Sequence, residues 1–244
     1  MILPSPLIGG RLVRRYKRFF ADVEMPDGSI VTAHCPNTGA MLGVATPGSA
    51  VWLSRSDNPK RKLPYTWELV RSPDAPESSL VGINPMNANR IVAGALEGGE
   101  IALLRDYGTV RSEVPYGHGS RVDFLLTQSG LPDCYVEVKN VHLMREPGLA
   151  EFPDAVTARG TKHLGELAAE KANGNRALML FLVQRADCER FAVADDIDPA
   201  YGAALDSAVG AGVEVLCLAC RVRLTDITVV RTITFDGTKR RRTP

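Results

Sequence analysis

Cysteine is scarce: Cys35, Cys134, Cys188, Cys217 and Cys220 are an odd, scattered set of five, which argues against a disulfide framework. Long apolar runs are missing too. The longest, Ala177 to Val183, is far too short to cross a bilayer. The opening Met1-Ile2-Leu3-Pro4-Ser5-Pro6 has neither the charged start nor the apolar stretch of a signal peptide. A soluble, cytoplasmic protein is expected. Cys217-Leu218-Ala219-Cys220 has the spacing of half a zinc site, but no second Cys or His pair follows, and its place in the apolar run Val213 to Cys220 reads as buried strand thiols.

Net charge is nearly absent, at +1, but the charges are unevenly spread. Residues 1 to 80 carry ten Lys/Arg against seven Asp/Glu, residues 81 to 238 fifteen against twenty-one, and residues 239 to 244 four basic and no acidic groups. Acidic surface suits a cation and basic segments suit phosphates. With 244 residues and 45% hydrophobic content the chain has material for one large domain or two modest ones.

Residues 7 to about 75 read as short strands separated by Gly/Pro turns: Arg11 to Met25, Ser29 to His34, Ala50 to Ser54 and Tyr65 to Val70. No helical period interrupts them, so residues 1–80 are expected to form a small barrel of the five-stranded OB type. Arg11, Arg14, Arg15, Lys17 and Arg18 alternate with Tyr16, Phe19 and Phe20, and Lys60-Arg61-Lys62 precedes Tyr65 and Trp67. Basic side chains follow a phosphate backbone while aromatic faces take bases, the way such barrels hold single strands. A solvated face over an aromatic core is the alternative reading.

Ser72-Pro73-Asp74-Ala75-Pro76-Glu77-Ser78-Ser79 reads as a linker. Asn87 to Gly98 then predicts a helix capped at Asn87 or Asn89 and stopped by Gly98-Gly99. Thr109 to Val114 predicts a strand, Thr161 to Asn173 an amphipathic helix, Ala177 to Val183 a buried strand, Pro199 to Gly210 a helix and Val213 to Cys220 another buried strand. This order makes residues 81–238 an α/β domain. The tail, residues 239–244, holds Lys239-Arg240-Arg241-Arg242, solubilising or phosphate-binding.

Within that domain Arg121 to Leu126 and Cys134 to Lys139 alternate polar and apolar residues around a breaker-rich loop at Gly130, which predicts a hairpin. Pairing about Gly130 sets Asp123 opposite Glu137, with Lys139 two residues on and facing the same way. Two carboxylates so placed repel unless a cation lies between them. A hard divalent ion, Mg2+ or Mn2+, takes oxygen ligands and keeps waters for a phosphate to displace. Asp123, Glu137 and the Val138 carbonyl are the candidate ligands. Glu113 joins them if Thr109 to Val114 folds back about His118. Lys139 is the candidate for stabilising charge on a phosphate, and Arg121, Lys162 and His163 the candidates for touching DNA nearby. Single helical histidines are more often structural.

Asp123 with Glu137-Val138-Lys139 resembles the core motif of PD-(D/E)XK nuclease-like proteins. Arg15-Tyr16-Lys17-Arg18-Phe19, His34-Cys35-Pro36-Asn37-Thr38-Gly39, Asn58-Pro59-Lys60-Arg61-Lys62, Tyr135 to Asn140 and Phe152-Pro153-Asp154-Ala155-Val156-Thr157 together resemble the sugar fermentation stimulation protein A (SfsA) family over nearly the whole chain. The resemblance implies an amino-terminal OB-like barrel, a PD-(D/E)XK nuclease-like domain, DNA binding with little sequence preference, and a role in regulating maltose metabolism. Gly94 and Gly165 depart from it, standing where an acid and a base are expected, so the metal set is an acid short unless Glu97 or Glu113 substitutes. Three functions follow as rivals: a metal-dependent nuclease, a binding protein whose nuclease-like site no longer cuts, and an enzyme for a small phosphorylated ligand.

Overall fold

The computed structural model describes residues 1–4, 6–72, 79–117 and 119–237. Residues 73–78 of the expected linker, the pivot His118 and the basic tail lie outside the described residues. Five strands, β1 (Ile8–Tyr16), β2 (Phe20–Glu24), β3 (Ile30–His34), β4 (Ala50–Arg55) and β5 (Tyr65–Val70), pair in the order β3-β2-β1-β4-β5. A parallel contact of His34 with Thr66 closes the ring, which is the OB barrel expected. Its core is the set of inward residues at period two, among them Leu12, Val23, Val51, Leu53 and Trp67. The stretch Arg11 to Met25 is two strands, not one. Lys17 and Arg18 take left-handed φ values of 47° and 62° and reverse the chain between them.

The division between domains does not fall at residue 80. Strand β6 (Val81–Gly82) pairs with β5, and Val81 and Ile83 complete the barrel core. Leu3, conversely, packs into the α/β core, with Ile2 bridged to Asp226 and the Leu3 N–H donating to Thr225 O.

Helix α1 (Met86–Glu97) follows, then β7 (Thr109–Tyr116), β8 (Ser120–Thr127), β9 (Cys134–Val141), β10 (Leu143–Glu146), β11 (Leu149–Phe152), α2 (Ala158–Ala172), β12 (Arg176–Val183), β13 (Arg190–Val193), α3 (Pro199–Gly210), β14 (Glu214–Val222), β15 (Ile227–Thr232) and β16 (Thr234–Phe235). The main sheet runs β15-β14-β12-β9-β8-β7, with β12 parallel to both neighbours. Leu178, Leu180 and Leu182 of β12 face the α1 side, and Met179, Phe181 and Val183 face α2 and α3. Both faces are covered, which is why this strand is an unbroken apolar run. Each such side chain contributes about 1.5–3 kcal/mol on burial.

Helix α1 is not capped by Asn87 or Asn89. Its first N–H, from Met86, goes to the Asn84 side chain, and the two later asparagines turn inward. Helix α2 begins three residues earlier than the period predicts, because the Thr157 hydroxyl accepts from Gly160 and starts it there. A small sheet, β10-β11-β13-β16, covers the α3 side. Among the described residues no helix is long and apolar enough to cross a membrane.

Candidate functional site

The hairpin β8–β9 has the register read from the sequence: Phe124 faces Val136, Leu125 faces Tyr135 and Leu126 faces Cys134, and Gly130 turns with φ 83°. Pairing stops one step short of Asp123. There the strands part, and Asp123 Oδ2 accepts the Val138 N–H at 2.7 Å. Its Oδ1 accepts from Asn89 Nδ2 at 2.7 Å, so α1 fixes the second oxygen. Glu137 and Lys139 point to the opposite helix, α2, while Val136 and Val138 pack under α1. Asp123 is therefore anchored from the α1 side and Glu137 from the α2 side, not side by side on one face as the sequence pairing predicts, because the ladder opens where Asp123 takes over a backbone bond.

Glu137 is 2% exposed. Its Oε1 accepts from Lys139 Nζ at 2.7 Å and contacts His163 Nδ1. Arg159 Nε lies 3.2 Å from His163 Nε2 and can only donate, so Nε2 accepts and Nδ1 carries the hydrogen given to Glu137. Glu137 Oε2 is buried and, among the described residues, has no hydrogen-bond partner. Burial, then the charge of Glu137, hold Asp123 above the ordinary carboxylate value, against the hydrogen bonds from Val138 and Asn89. For Glu137 burial works against ionisation, but the His163 hydrogen bond and the Lys139 ammonium outweigh it and its pKa falls. Tyr116, stacked on Tyr135 at 5.9 Å, leaves its buried hydroxyl without a partner among the described residues. Burial, then the charges of Glu137, Glu166 and Asp123, push that phenol well up.

Other residues singled out from the sequence fall elsewhere. Glu113 lies between Ser112 and Val114, which pair with Phe124 and Val122, but it is exposed at φ 54°, and it is its carbonyl that accepts from Arg121, at 2.7 Å. Among the described residues no group of three or more His, Cys, Asp or Glu is arranged to hold a metal, so Glu113 does not complete a three-acid set. Glu97 is exposed at the end of α1. A side chain at Gly94 or Gly165 would meet nothing within 4 Å. His163, expected on DNA, is buried against Glu137. Lys162 reaches Ser120 Oγ at 3.0 Å.

On the barrel, Arg15 turns inward and donates to the carbonyls of Asn37 and Gly39, both at 2.9 Å, so it holds a loop rather than facing solvent. Tyr16 stacks on Phe20 and its hydroxyl donates to Asp22. Arg14 pairs with Asp22 at 2.8 Å. Lys17, Arg18, Lys60, Arg61 and Lys62 are exposed, Arg61 also donating to Thr66 at 3.0 Å.

Sequence reasoning does not bring Asn89, Arg159 or Tyr116 to the site. Arg159 stands four residues before His163, a helical spacing that makes neighbours, and Asn89 is one of two asparagines at the head of a largely apolar helix. Both signals are present, but by themselves they read as surface and as a cap.

A closed OB barrel joined to an α/β domain with a forked Asp and Glu-x-Lys hairpin defines a two-domain class of protein, an OB barrel followed by an α/β domain. Residues 13–83 match the model of the SfsA N-terminal OB domain and residues 86–226 that of the sugar fermentation stimulation protein RE domain. Sugar fermentation stimulation protein homologs are similar throughout: that of Maricaulis maris is 56% identical over 231 residues, 95% of this chain and 97% of that one. The homolog of Rhodospirillum centenum is 57% identical over 237 residues, 97% and 100% of the two chains. The structure of Pyrococcus furiosus SfsA in complex with Ca2+ superposes with a TM-score of 0.86 at 24% identity, covering 97% of this chain and 98% of that one. The chain belongs to the SfsA family.

Proposed function

We propose that this protein binds DNA through its phosphates, with little sequence preference, and that the fork carries a divalent-metal centre for phosphodiester hydrolysis. One observation carries the reading: a buried Glu137 oxygen without a partner among the described residues, beside a lysine and across a fork from a second carboxylate whose pKa is raised by burial and then by the charge of Glu137. A buried acceptor left unsatisfied is costly, and an oxygen donor set is what Mg2+ or Mn2+ takes. The residues fit such an ion. Glu137 Oε2 would hold it with the spare lone pairs of Asp123 and the Val138 carbonyl, and the presence of Ca2+ with the Pyrococcus furiosus relative supports a hard cation here.

When bound, the ion supplies Lewis acidity toward phosphate and an acidified water. The chain's own groups do the rest. His163, oriented by Arg159, holds Glu137 in one rotamer, and Asn89 holds Asp123. Lys139 sits within reach of charge developing on a phosphate oxygen. The exposed Lys17, Arg18, Lys60 and Lys62 attract the backbone, and contacts of that kind carry no base information.

A second reading has its own support. Both Asp123 oxygens already accept hydrogen bonds, and Lys139 is tied to Glu137, which suits a regulatory DNA-binding protein that does not cut, in line with the sugar-metabolism role its relatives' name describes. Incubation of plasmid and single-stranded DNA with Mg2+ or Mn2+, beside an Asp123→Asn control, separates the two. Cleavage by the wild type only supports the enzyme, binding without cleavage supports the regulator, and absence of any mobility shift at low salt removes both.

A further inference from the structure

A groove of about 520 Å3 opens where the barrel meets the head of α1. Three arginines from three separate segments line it: Arg55 at the end of β4, Arg61 in the β4–β5 loop and Arg90 near the start of α1. All three are exposed, and none makes an ion pair among the described residues. Arg61 is held in place by its bond to Thr66 Oγ1 at 3.0 Å. Like charges brought to one concavity repel, and an anion between them relieves the repulsion.

The one carboxylate among the lining residues, Glu68, is 5% exposed and accepts from three neutral groups, Ser54, Asn84 and Asn87. It is paired with none of the arginines, whose combined charge exceeds its own. His34, half-buried in the wall, makes no side-chain hydrogen bond among the described residues. Burial, then the charge of Arg61, hold it below the ordinary imidazole value against the pull of Glu68, so at neutral pH it is an uncharged ring with an N–H to offer. Pro36 and Met86, the latter 73% exposed, add apolar surface.

Taking DNA binding as proposed above, we infer that this groove holds a single strand, its phosphates on Arg55, Arg61 and Arg90 and a base against Met86 and Pro36. A concavity of that volume takes one nucleotide, and the bases of a duplex, paired and stacked inside the helix, cannot enter it. Lys60 and Lys62, exposed on the same loop as Arg61, continue the basic track beyond the groove, which a polymer needs and a small anion does not. Asn87 and Arg90 line the groove, while Asn89 between them reaches Asp123. The strand and the fork therefore flank one turn of α1.

The test is fluorescence anisotropy of the full chain in EDTA, with a labelled thymidine 12-mer and a blunt 12-base-pair duplex. Wild type should bind the single strand about tenfold more tightly, the worth of one stacked base. Arg55→Gln with Arg90→Gln should lower the slope of log affinity against log salt for the 12-mer by about 1.4, roughly 0.7 for each phosphate no longer neutralised. Met86→Glu, an acid that the start of a helix favours, should weaken the 12-mer about tenfold. Both variants should keep the wild-type melting temperature and duplex affinity. Equal binding of the two DNAs by wild type, a 12-mer affinity and salt slope unchanged in both variants, or an equal loss on the duplex overturns the single-strand groove and leaves DNA binding standing. No binding of either DNA at low salt removes DNA binding itself, and the groove with it.

Discussion

Asp123→Asn should make the protein more stable while depriving it of its metal. In the fork Asp123 accepts one hydrogen bond from Val138 and one from Asn89. An asparagine keeps both: its oxygen takes the Val138 N–H, and its amide donates to Asn89 once that side chain flips. What disappears is the repulsion between two carboxylates. Between neighbouring buried charges at an effective dielectric of about 20 this is on the order of a few kcal/mol, of which Lys139 already cancels part. A net gain of about 1–2 kcal/mol raises the melting temperature by about 2–8 °C for a chain of this size.

The sign follows from linkage. The folded pKa of Asp123 lies above its ordinary value of 3.8. The wild type therefore escapes the penalty below that value and bears it in full once pH rises past the folded pKa. Scanning calorimetry in EDTA should show the variant ahead at pH 8 and the gap closing toward about pH 4. Adding Mn2+ should reverse the order, since a ligand at 100 times its dissociation constant stabilises only the protein that binds it, by about 2.7 kcal/mol. A variant that melts lower than wild type in EDTA, or gains as much from Mn2+, would refute the argument that the two charges share one site.

Three further outcomes follow. Glu68 is buried and accepts from Ser54 at 2.8 Å, Asn84 at 2.8 Å and Asn87 at 3.1 Å, so Glu68→Leu strands three donors between barrel and α1. A loss of about 3 kcal/mol is expected, seen as a melting temperature lower by about 6–12 °C. Asp154→Asn removes the carboxylate beside His142 Nε2 and weakens the acceptor of Met41. Burial opposes the Asp154 charge, but His142 and the Met41 N–H outweigh it and its folded pKa lies below 3.8. Its contribution is therefore present above that value and lost as pH falls through the folded pKa, and thermal melts from pH 7 down to about 3 should show wild type and variant converging. Lys60→Ala with Lys62→Ala should lower the slope of log affinity against log salt for single-stranded DNA by about 1.4, roughly 0.7 for each phosphate no longer neutralised. Fluorescence anisotropy over a salt series reads it, and an unchanged slope would take the Lys60–Lys62 loop out of the interface.

Period-two and period-3.6 patterns were enough to read the barrel, the helix-strand order and the register about Gly130, because each rests on which face of an element is apolar. The small sheet was not legible: β16 is two residues long, and β11 and β13 pair in parallel across distant segments, so neither alternation nor a turn announces them. The fork was not legible either, since a ladder that stops at Phe124 depends on Asp123 finding the Val138 N–H, a tertiary fact. Charge could be read, but orientation could not. Arg15 and His163 are basic in sequence and inward in the fold, where a carbonyl pair and a carboxylate claim them.

The packing of Leu3 against the α/β core and the return of the chain at Ile83 make the barrel an excursion that leaves the larger domain and comes back to it. Hydrogen bonds from the Met41 N–H to Asp154, from the Gly82 N–H to the Gln184 carbonyl and from Asn84 and Asn87 to Glu68 tie it down between those two crossings. The barrel is thus seated on its neighbour by polar bonds as well as by the covalent chain.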